Sequence, residues 1–429
     1  MANNKRILLC AYNYPPLITP QSLRWFYLTR ELNMQGYKVD VLTIRMPGKF
    51  QELVDTIPEE IEIHRTFHGP LHSLTYHYSR ESLKVDQVSR KKNGSFIWGM
   101  LSRIQSRVHK VLNVLLVPDI YAEWLPFALR KGKKLLKTNK YDIIISSSEP
   151  RICHLLGYFL KKESQVPWIA DYGDTWIYPI LPLLPESRLK QDILRKVEKK
   201  ILQKVDTLTV AARGIKRVYL EQYPFLHSEK IHVIPQGYDP DAFSRIGEEP
   251  SQKFRIVYCG SFYKNLRNPM SFLHAVKEID SEDIEVIIAG RINEFVHELK
   301  KDCYKNIISY RGFQSHFQSL ALEKSATVLL HIGTASDIQV PGKLYEYFGA
   351  RRPILCVQGG EKDLSVELVT QYNKGLVVLD TKRDIKEGIM KLYSLWKSKL
   401  LDSSYNLDEV KDCTWQRGAE QIVNIIDGE

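Results

Sequence analysis

Val340-Pro341-Gly342-Lys343-Leu344-Tyr345-Glu346-Tyr347-Phe348-Gly349-Ala350, followed by Arg351-Arg352-Pro353-Ile354-Leu355, is the most telling stretch of the chain. Proline suits the first turn of a helix, where its missing N–H costs nothing, so a helix is predicted to open at Pro341-Gly342. Lys343 and Glu346 stand three apart and share one face of its first turns. Gly349 and Pro353 are expected to stop it, and Ile354–Val357 reads as a buried strand. The unit then offers free backbone N–H groups, a positive helix end, a cation and a carboxylate on one surface. A nucleotide diphosphate needs those groups: N–H donors and Lys for phosphate, a carboxylate for ribose hydroxyls. An ordinary amphipathic helix before a strand fits the same spacing, and spacing alone does not separate the two.

Working outward, apolar runs of strand length alternate with helix-length segments at 6–11, 39–44, 142–146, 167–171, 207–211, 231–235, 255–259, 284–289, 327–332 and 354–357. That alternation predicts α/β architecture with parallel sheets. Turn residues concentrate between Pro235 and Ser251, and a second series of βα units begins at Phe254. Two doubly wound domains facing each other are therefore expected. Ligands in such sheets bind beyond the carboxyl ends of the strands. Four post-strand loops stand out: Tyr14–Ser22 before a helix carrying Arg24, Ser146–Pro150 leading to His154, Asp171–Trp176, and Gly260–Arg267.

The 429 residues suffice for two domains with separate cores, and 44% hydrophobic with 26% charged residues is ordinary for a globular protein. The six cysteines have no CxxC pairing or metal-ligand spacing, and several lie in apolar runs, which predicts reduced core thiols in a cytosolic protein. Lys5-Arg6 before Ile7–Tyr12 superficially suggests a signal peptide. The run is too short and meets Asn13-Tyr14-Pro15-Pro16 without a small-residue cleavage site, so a first buried strand fits better. No stretch reaches the roughly 18 apolar residues of a membrane span.

Charge is unevenly placed. Residues 1–210 hold 32 Lys+Arg against 20 Asp+Glu, and residues 88–140 alone hold 12 against 2. That segment interleaves its cations with Phe96, Trp98, Leu101, Ile104, Val108 and Val111 near helical spacing. A basic amphipathic stretch with Trp suits an anionic membrane surface; a solvated helix packing its stripe on its own domain is the alternative. No nucleic-acid motif accompanies it.

Other chemistries find less support. Asp171 and Asp174 could form a carboxylate pair, as in a hydrolase. Asp239-Pro240-Asp241 mimics an Asp-x-Asp metal motif but lies where Asp caps turns. Zinc spacing, a phosphate loop and a Gly-x-Ser-x-Gly elbow are absent from the sequence.

Together with the opening helix, these loops resemble the GT-B glycosyltransferases of glycosyltransferase family 4, a retaining class, over nearly the whole chain. Tyr14-Pro15-Pro16, Arg24, Leu28, Leu32 and Gly36-Tyr37-Lys38-Val39 are similar to its opening pattern. Pro118-Asp119, Trp124, Ser146–Pro150, His154, Gly157 and Pro167–Trp176 resemble a bacterial surface-polysaccharide branch. Ile234–Asp239 looks like the family's Pro-Asn-Gly-Val-Asp, and 341–354 closely matches that branch's nucleotide-binding helix. Three departures stand out. The family's Glu–(seven residues)–Glu signature places its first Glu at 338, where this chain has Ile338, with Asp337 adjacent as a substitute acid. Gly173 replaces a usual Arg, and Ile18-Thr19-Pro20 replaces expected glycines.

The resemblance implies two Rossmann-like domains across a cleft: an acceptor domain at 1–212 joined by a returning helix at 409–429 with Trp415, and a donor domain at 213–408. It implies transfer of a hexosyl-type sugar from a UDP- or GDP-linked donor, with retention, without metal or other cofactor. The acceptor expected is a lipid-linked or growing bacterial polysaccharide. The protein is expected in the cytoplasm, peripherally on the inner face of the plasma membrane through 88–140. Lys343 and Lys264 are implied to stabilise the leaving diphosphate, with Asp174 and His154 also near the chemistry. Gly260, Ser261, Arg267, Arg311, Gly342 and Glu346 are implied for the donor. Pro16, Thr19, Arg24, Asp171 and Trp176 are implied for acceptor or sugar. The alternatives are a GT-B sugar-nucleotide epimerase, which does not predict the basic segment, and a non-catalytic partner subunit, motivated by Ile338 and Gly173.

Overall fold

The computed structural model describes residues 5–46, 57–70, 116–176, 187–247, 251–279, 281–299, 301, 304 and 306–428. They form two wholly parallel sheets. The first contains β1 (Arg6–Ala11), β2 (Lys38–Ile44), β3 (Glu62–Thr66), β4 (Ile143–Ser148), β5 (Trp168–Tyr172), β6 (Thr207–Val210) and β7 (Ile231–Val233). The second contains β8 (Phe254–Cys259), β9 (Ile284–Ala289), β10 (Ile308–Tyr310), β11 (Val328–Ile332), β12 (Ile354–Gln358) and β13 (Gly375–Leu379). Their orders are β3-β2-β1-β4-β5-β6-β7 and β10-β9-β8-β11-β12-β13. Each is doubly wound, with the order reversing between β1 and β4 and between β8 and β11. Those switch points open the crevices in which such sheets bind ligands.

Continuous apolar runs form these strands because helices cover both faces. In β1, Leu8 and Cys10 enter one core while Ile7, Leu9 and Ala11 enter the opposite one. In β9, Val286 and Ile288 divide from Ile287 and Ala289 in the same way. The expected strands are present. Three more, β3, β10 and β13, lie at sheet edges and are only partly buried, so they carry a weaker apolar signature.

The division between domains differs from the expected 212/213. Helix Arg213–Gln222 and β7 complete the first sheet, so the chain leaves it after Val233 and enters the second at Phe254. The turn-rich segment between them is the crossing. The last helix, Trp415–Asp427, lies against the first domain, burying Trp415, Ala419 and Ile422 in the core that holds Trp25 and Leu28.

The helix expected after Val340 runs Gly342–Ala350 with Pro341 at its N-cap. Gly349 does not end it; the left-handed Arg351, at φ 54°, does. A Cβ on Gly349 would stand 2.5 Å from both Tyr238 and Phe243, so this glycine serves close packing. Of the basic segment, 88–115 lies outside the described residues, and 116–140 contains helix Leu125–Thr138. Among the described residues no helix is long and apolar enough to cross a membrane.

Candidate functional site

The carboxyl-end loops of the two sheets meet. After β11 the chain passes through 333–341, where Gln339 Nε2 donates to Gly173 O at 3.0 Å, just beyond β5. Asp337 pairs with Arg217 of helix Arg213–Gln222 at 2.7 Å. Ile338 packs on the first domain's core. Both switch points therefore open toward one interdomain cleft.

On the second-domain side, Lys343 Nζ donates to Glu323 Oε1 at 2.9 Å and to Glu346 Oε2. His316 Nε2 stands 3.3 Å from Glu346 Oε1. Burial alone would raise Glu346, but Lys343 and His316 outweigh it and hold the carboxyl below the usual carboxylate range. Burial works against the charge on Glu323, and the pull of Lys343 opposes that burial. Burial opposes the charge on Lys343, yet the two carboxylates outweigh it and hold the ammonium protonated. An ammonium has three donors, of which the carboxylates take two. With 31% of the Lys343 side chain accessible, the third can reach the cleft.

The Gly260–Arg267 loop is tied to this helix, because Tyr347 OH accepts the N–H of Cys259 at 3.0 Å, one residue before Gly260 and two before Ser261. The loop turns back on itself through paired backbone bonds between Tyr263 and Arg267. Its Lys264 is exposed, whereas Arg267 is half-buried with Nε unpartnered beside Tyr258. Arg311 stands apart, exposed after the edge strand β10, two strands from the switch point.

On the first-domain side, of the two expected aspartates, Asp174 is the one without a hydrogen-bond partner. Its Oδ1 is sealed from solvent with no hydrogen-bond partner, and burial raises its carboxyl to about 7. Its expected companion Asp171 is held in the fold. Asp171 is fully buried and accepts from Arg24 Nε and Nη2 at 3.1 and 2.9 Å, Trp25 Nε1 at 2.9 Å, Gln21 Nε2 at 2.9 Å and Thr209 Oγ1 at 2.8 Å. Arg24 also donates to Pro235 O at 2.8 Å, fixing the start of the crossing segment. With every lone pair engaged, Asp171 has nothing to offer a ligand, and no Asp171–Asp174 dyad forms.

His154 is likewise fully buried, its Nδ1 on Ser146 Oγ at 2.8 Å and its ring 4.2 Å from Tyr172 and 6.0 Å from Trp176. Burial lowers it to about 3, so it stays neutral behind the cleft wall. Trp176 is 2% exposed and its carbonyl accepts from Arg151 at 2.9 Å. Thr19 caps helix Pro20–Met34 by accepting from Ser22 N at 3.1 Å, with Pro16 half-buried in the preceding loop. Asp239 caps helix Pro240–Ser244 and pairs with Arg30 at 2.8 Å, a capping role and not a metal ligand's. Asp40, Glu62 and His64 also cluster, but Arg6 grips Asp40 bidentately at 2.8 to 3.1 Å.

Glu323 and His316 are the residues that sequence reasoning missed. Both lie on helix His316–Lys324, which opens with a Ser315/Gln318 capping box. A usable signal existed: Glu323 falls three residues after the buried Leu320, an acid on an apolar stripe. Asp337, expected as a substitute acid for the donor, is committed to Arg217 instead.

The protein-family comparison matches the model described as Glycosyltransferase Family 4 over residues 22–242, just over half of the chain. No curated protein matches in sequence. Among solved structures, the Anabaena protein Alr3699/HepE in complex with UDP-glucose aligns over 100% of both chains at 12% identity and TM-score 0.63. The catalytic domain of Starch Synthase IV from Arabidopsis thaliana, bound to ADP and acarbose, aligns over 99% of both at 10% and 0.65. WaaG, a glycosyltransferase involved in lipopolysaccharide biosynthesis, aligns over 99% of this chain and 100% of its own at 13% and 0.58. At such identities the likeness shows the GT-B fold, and with the family match it decides the assignment: the chain belongs to Glycosyltransferase Family 4.

Proposed function

We propose that this glycosyltransferase moves a sugar from a UDP-linked donor to a hydroxyl of a lipid-linked saccharide, with retention and without a metal ion. The observation that carries the reading is the Lys343–Glu346 pair at a helix N-terminus on the β8–β11 switch point, across the cleft from an Asp174 carboxyl without a partner. Glu346, held ionised, accepts from ribose hydroxyls and fixes the donor's register. As the glycosidic C–O bond breaks, charge grows on the diphosphate. The third Lys343 donor, the helix N-terminus at Gly342, Arg267 and Lys264 meet it in a site shaped before the reaction. The acceptor hydroxyl attacks on the leaving-group face and its proton passes to the departing phosphate, so no side-chain nucleophile is required. Asp174 orients sugar or acceptor.

The HepE structure, with UDP-glucose in the same fold, supports UDP over GDP. WaaG's role in lipopolysaccharide biosynthesis supports a lipid-linked saccharide. For location we propose the inner face of the plasma membrane. Exposed Phe67 and Phe127, in edge contact at 5.1 Å, sit beside exposed Arg130, Lys134 and Lys137.

Thermal-shift titration with UDP, GDP, ADP and dTDP tests the donor. A nucleotide present at 100 times its Kd stabilises the fold by about 2.7 kcal/mol. A shift with UDP alone, followed by UDP release that requires a lipid-linked acceptor, is expected. A shift with another nucleotide overturns the UDP assignment. Sugar interconversion without acceptor makes the protein an epimerase, and neither activity makes it a binding subunit.

A further inference from the structure

We propose that Gln339 and Asp337, on the loop after β11, are positioning residues that fasten the first domain's Gly173–Asp174 turn to the nucleotide-binding domain. It rests on the transferase reading for its catalytic consequence, though not for the fastening itself. Three contacts place the loop. Gln339 Nε2 donates to Gly173 O at 3.0 Å, immediately before Asp174. Asp337 pairs with Arg217 at 2.7 Å. Between them Ile338 packs against the first core, and the helix there comes so close that a Cβ on Gly214 would stand 2.1 Å from Asp337 O and 2.5 Å from Ile338 Cα.

Gly173 is clamped from its other sides too. Its N–H donates to Ser148 O at 3.2 Å, and a Cβ on it would stand 2.5 Å from Gln21 Oε1. The turn has one bond to its own sheet, at the N–H, and one to the opposite domain, at the carbonyl. Asp174 has no hydrogen bond at Oδ1 to orient it, so its direction follows from the backbone on which it is mounted. Gln339 is only three residues before Gly342, the start of the nucleotide-binding helix. Movement of that helix is therefore transmitted to Asp174 through a single short loop.

The test uses the full-length chain with Gly214→Ala, Gln339→Met and Gln339→Lys. Alanine suits an ordinary helical φ, so Gly214→Ala leaves helix 213–222 intact and acts as a wedge. Gln339→Met keeps the length and removes the donor, while Gln339→Lys restores one. Hydrogen exchange over 168–176 and 333–341 reads the fastening directly. At least tenfold faster exchange is expected in Gly214→Ala and Gln339→Met, and parent-like exchange in Gln339→Lys. UDP affinity by calorimetry should stay within twofold. In the transferase assay kcat should fall tenfold or more in the first two variants with donor KM little changed, and recover in Gln339→Lys. Unchanged exchange overturns the proposal whatever the turnover. Faster exchange with unaltered kcat overturns the positioning role. A parent that binds UDP but never turns over counts against the transferase reading alone, and exchange still decides the fastening.

Discussion

At the residue scale, the two aspartates three positions apart have opposite fates. Asp171 is saturated by Arg24, Trp25, Gln21 and Thr209, whereas Asp174 Oδ1 has no partner. Asp171→Asn leaves the Arg24 charge buried and unpaired, for which a loss of about 3–5 kcal/mol is expected. Urea unfolding checks this, and UDP affinity of the protein that remains folded should be unchanged. Asp174 behaves in reverse. Below about pH 4 it is protonated in both folded and unfolded chains and contributes nothing. Between there and about 7 only the unfolded chain releases the proton, so on this group's account native stability falls as pH rises. Asp174→Asn should therefore unfold at the same urea concentration as the parent at pH 4, but at a higher one at pH 8. Equal midpoints at both values would show the carboxyl to be solvated. The Lys343–Glu346 pairing is legible because residues three apart on a helix share a face whatever surrounds them. The Asp171–Arg24 pair spans 147 positions and the Lys343–Glu323 pair comes from a separate helix, so no local pattern announces either.

At the scale of elements, central strands announce themselves, while three of the four edge strands do not. Ile143–Ser148 is buried at every position, while Ile308–Tyr310 and Gly375–Leu379 have only partly buried or exposed residues. Edge strands satisfy fewer neighbours, so their composition is freer. The domain boundary was misplaced for a related reason: β7 is a three-residue edge strand, and its place in the first sheet depends on pairing with β6. The returning helix was expected from family likeness and has a physical anchor. Trp415 stacks on Tyr27 at 5.8 Å with rings 7° from parallel, and its N–H donates to Tyr238 O at 3.1 Å. Trp415→Ala should cost about 3–5 kcal/mol, as for other large-to-small core changes. A urea midpoint near the parent's would mean that Ile422 and its neighbours hold the helix without the ring.

For the molecule as a whole, charge is the asymmetry that remains. The excess of cations lies in residues 1–210, with 32 Lys+Arg against 20 Asp+Glu, while residues 211–429 hold 29 against 30. On helix Leu125–Thr138, Phe127, Arg130, Lys134 and Lys137 recur at helical spacing and are all exposed, with Phe67 against Phe127. On the membrane reading proposed above, the cations attract anionic lipid and the rings enter the interface, so the two contributions are separable by salt. Each basic residue near such a surface contributes about 1 kcal/mol, and the Debye length shrinks from about 10 Å at 0.1 M salt to about 3 Å at 1 M. Replacing Arg130, Lys134 and Lys137 with Gln should weaken cosedimentation with phosphatidylserine vesicles roughly 10²-fold at low salt and little at 1 M. Phe127→Ser should weaken it by a similar factor at both salt concentrations. Equal binding to neutral vesicles, or indifference to all four changes, would detach this face from the membrane.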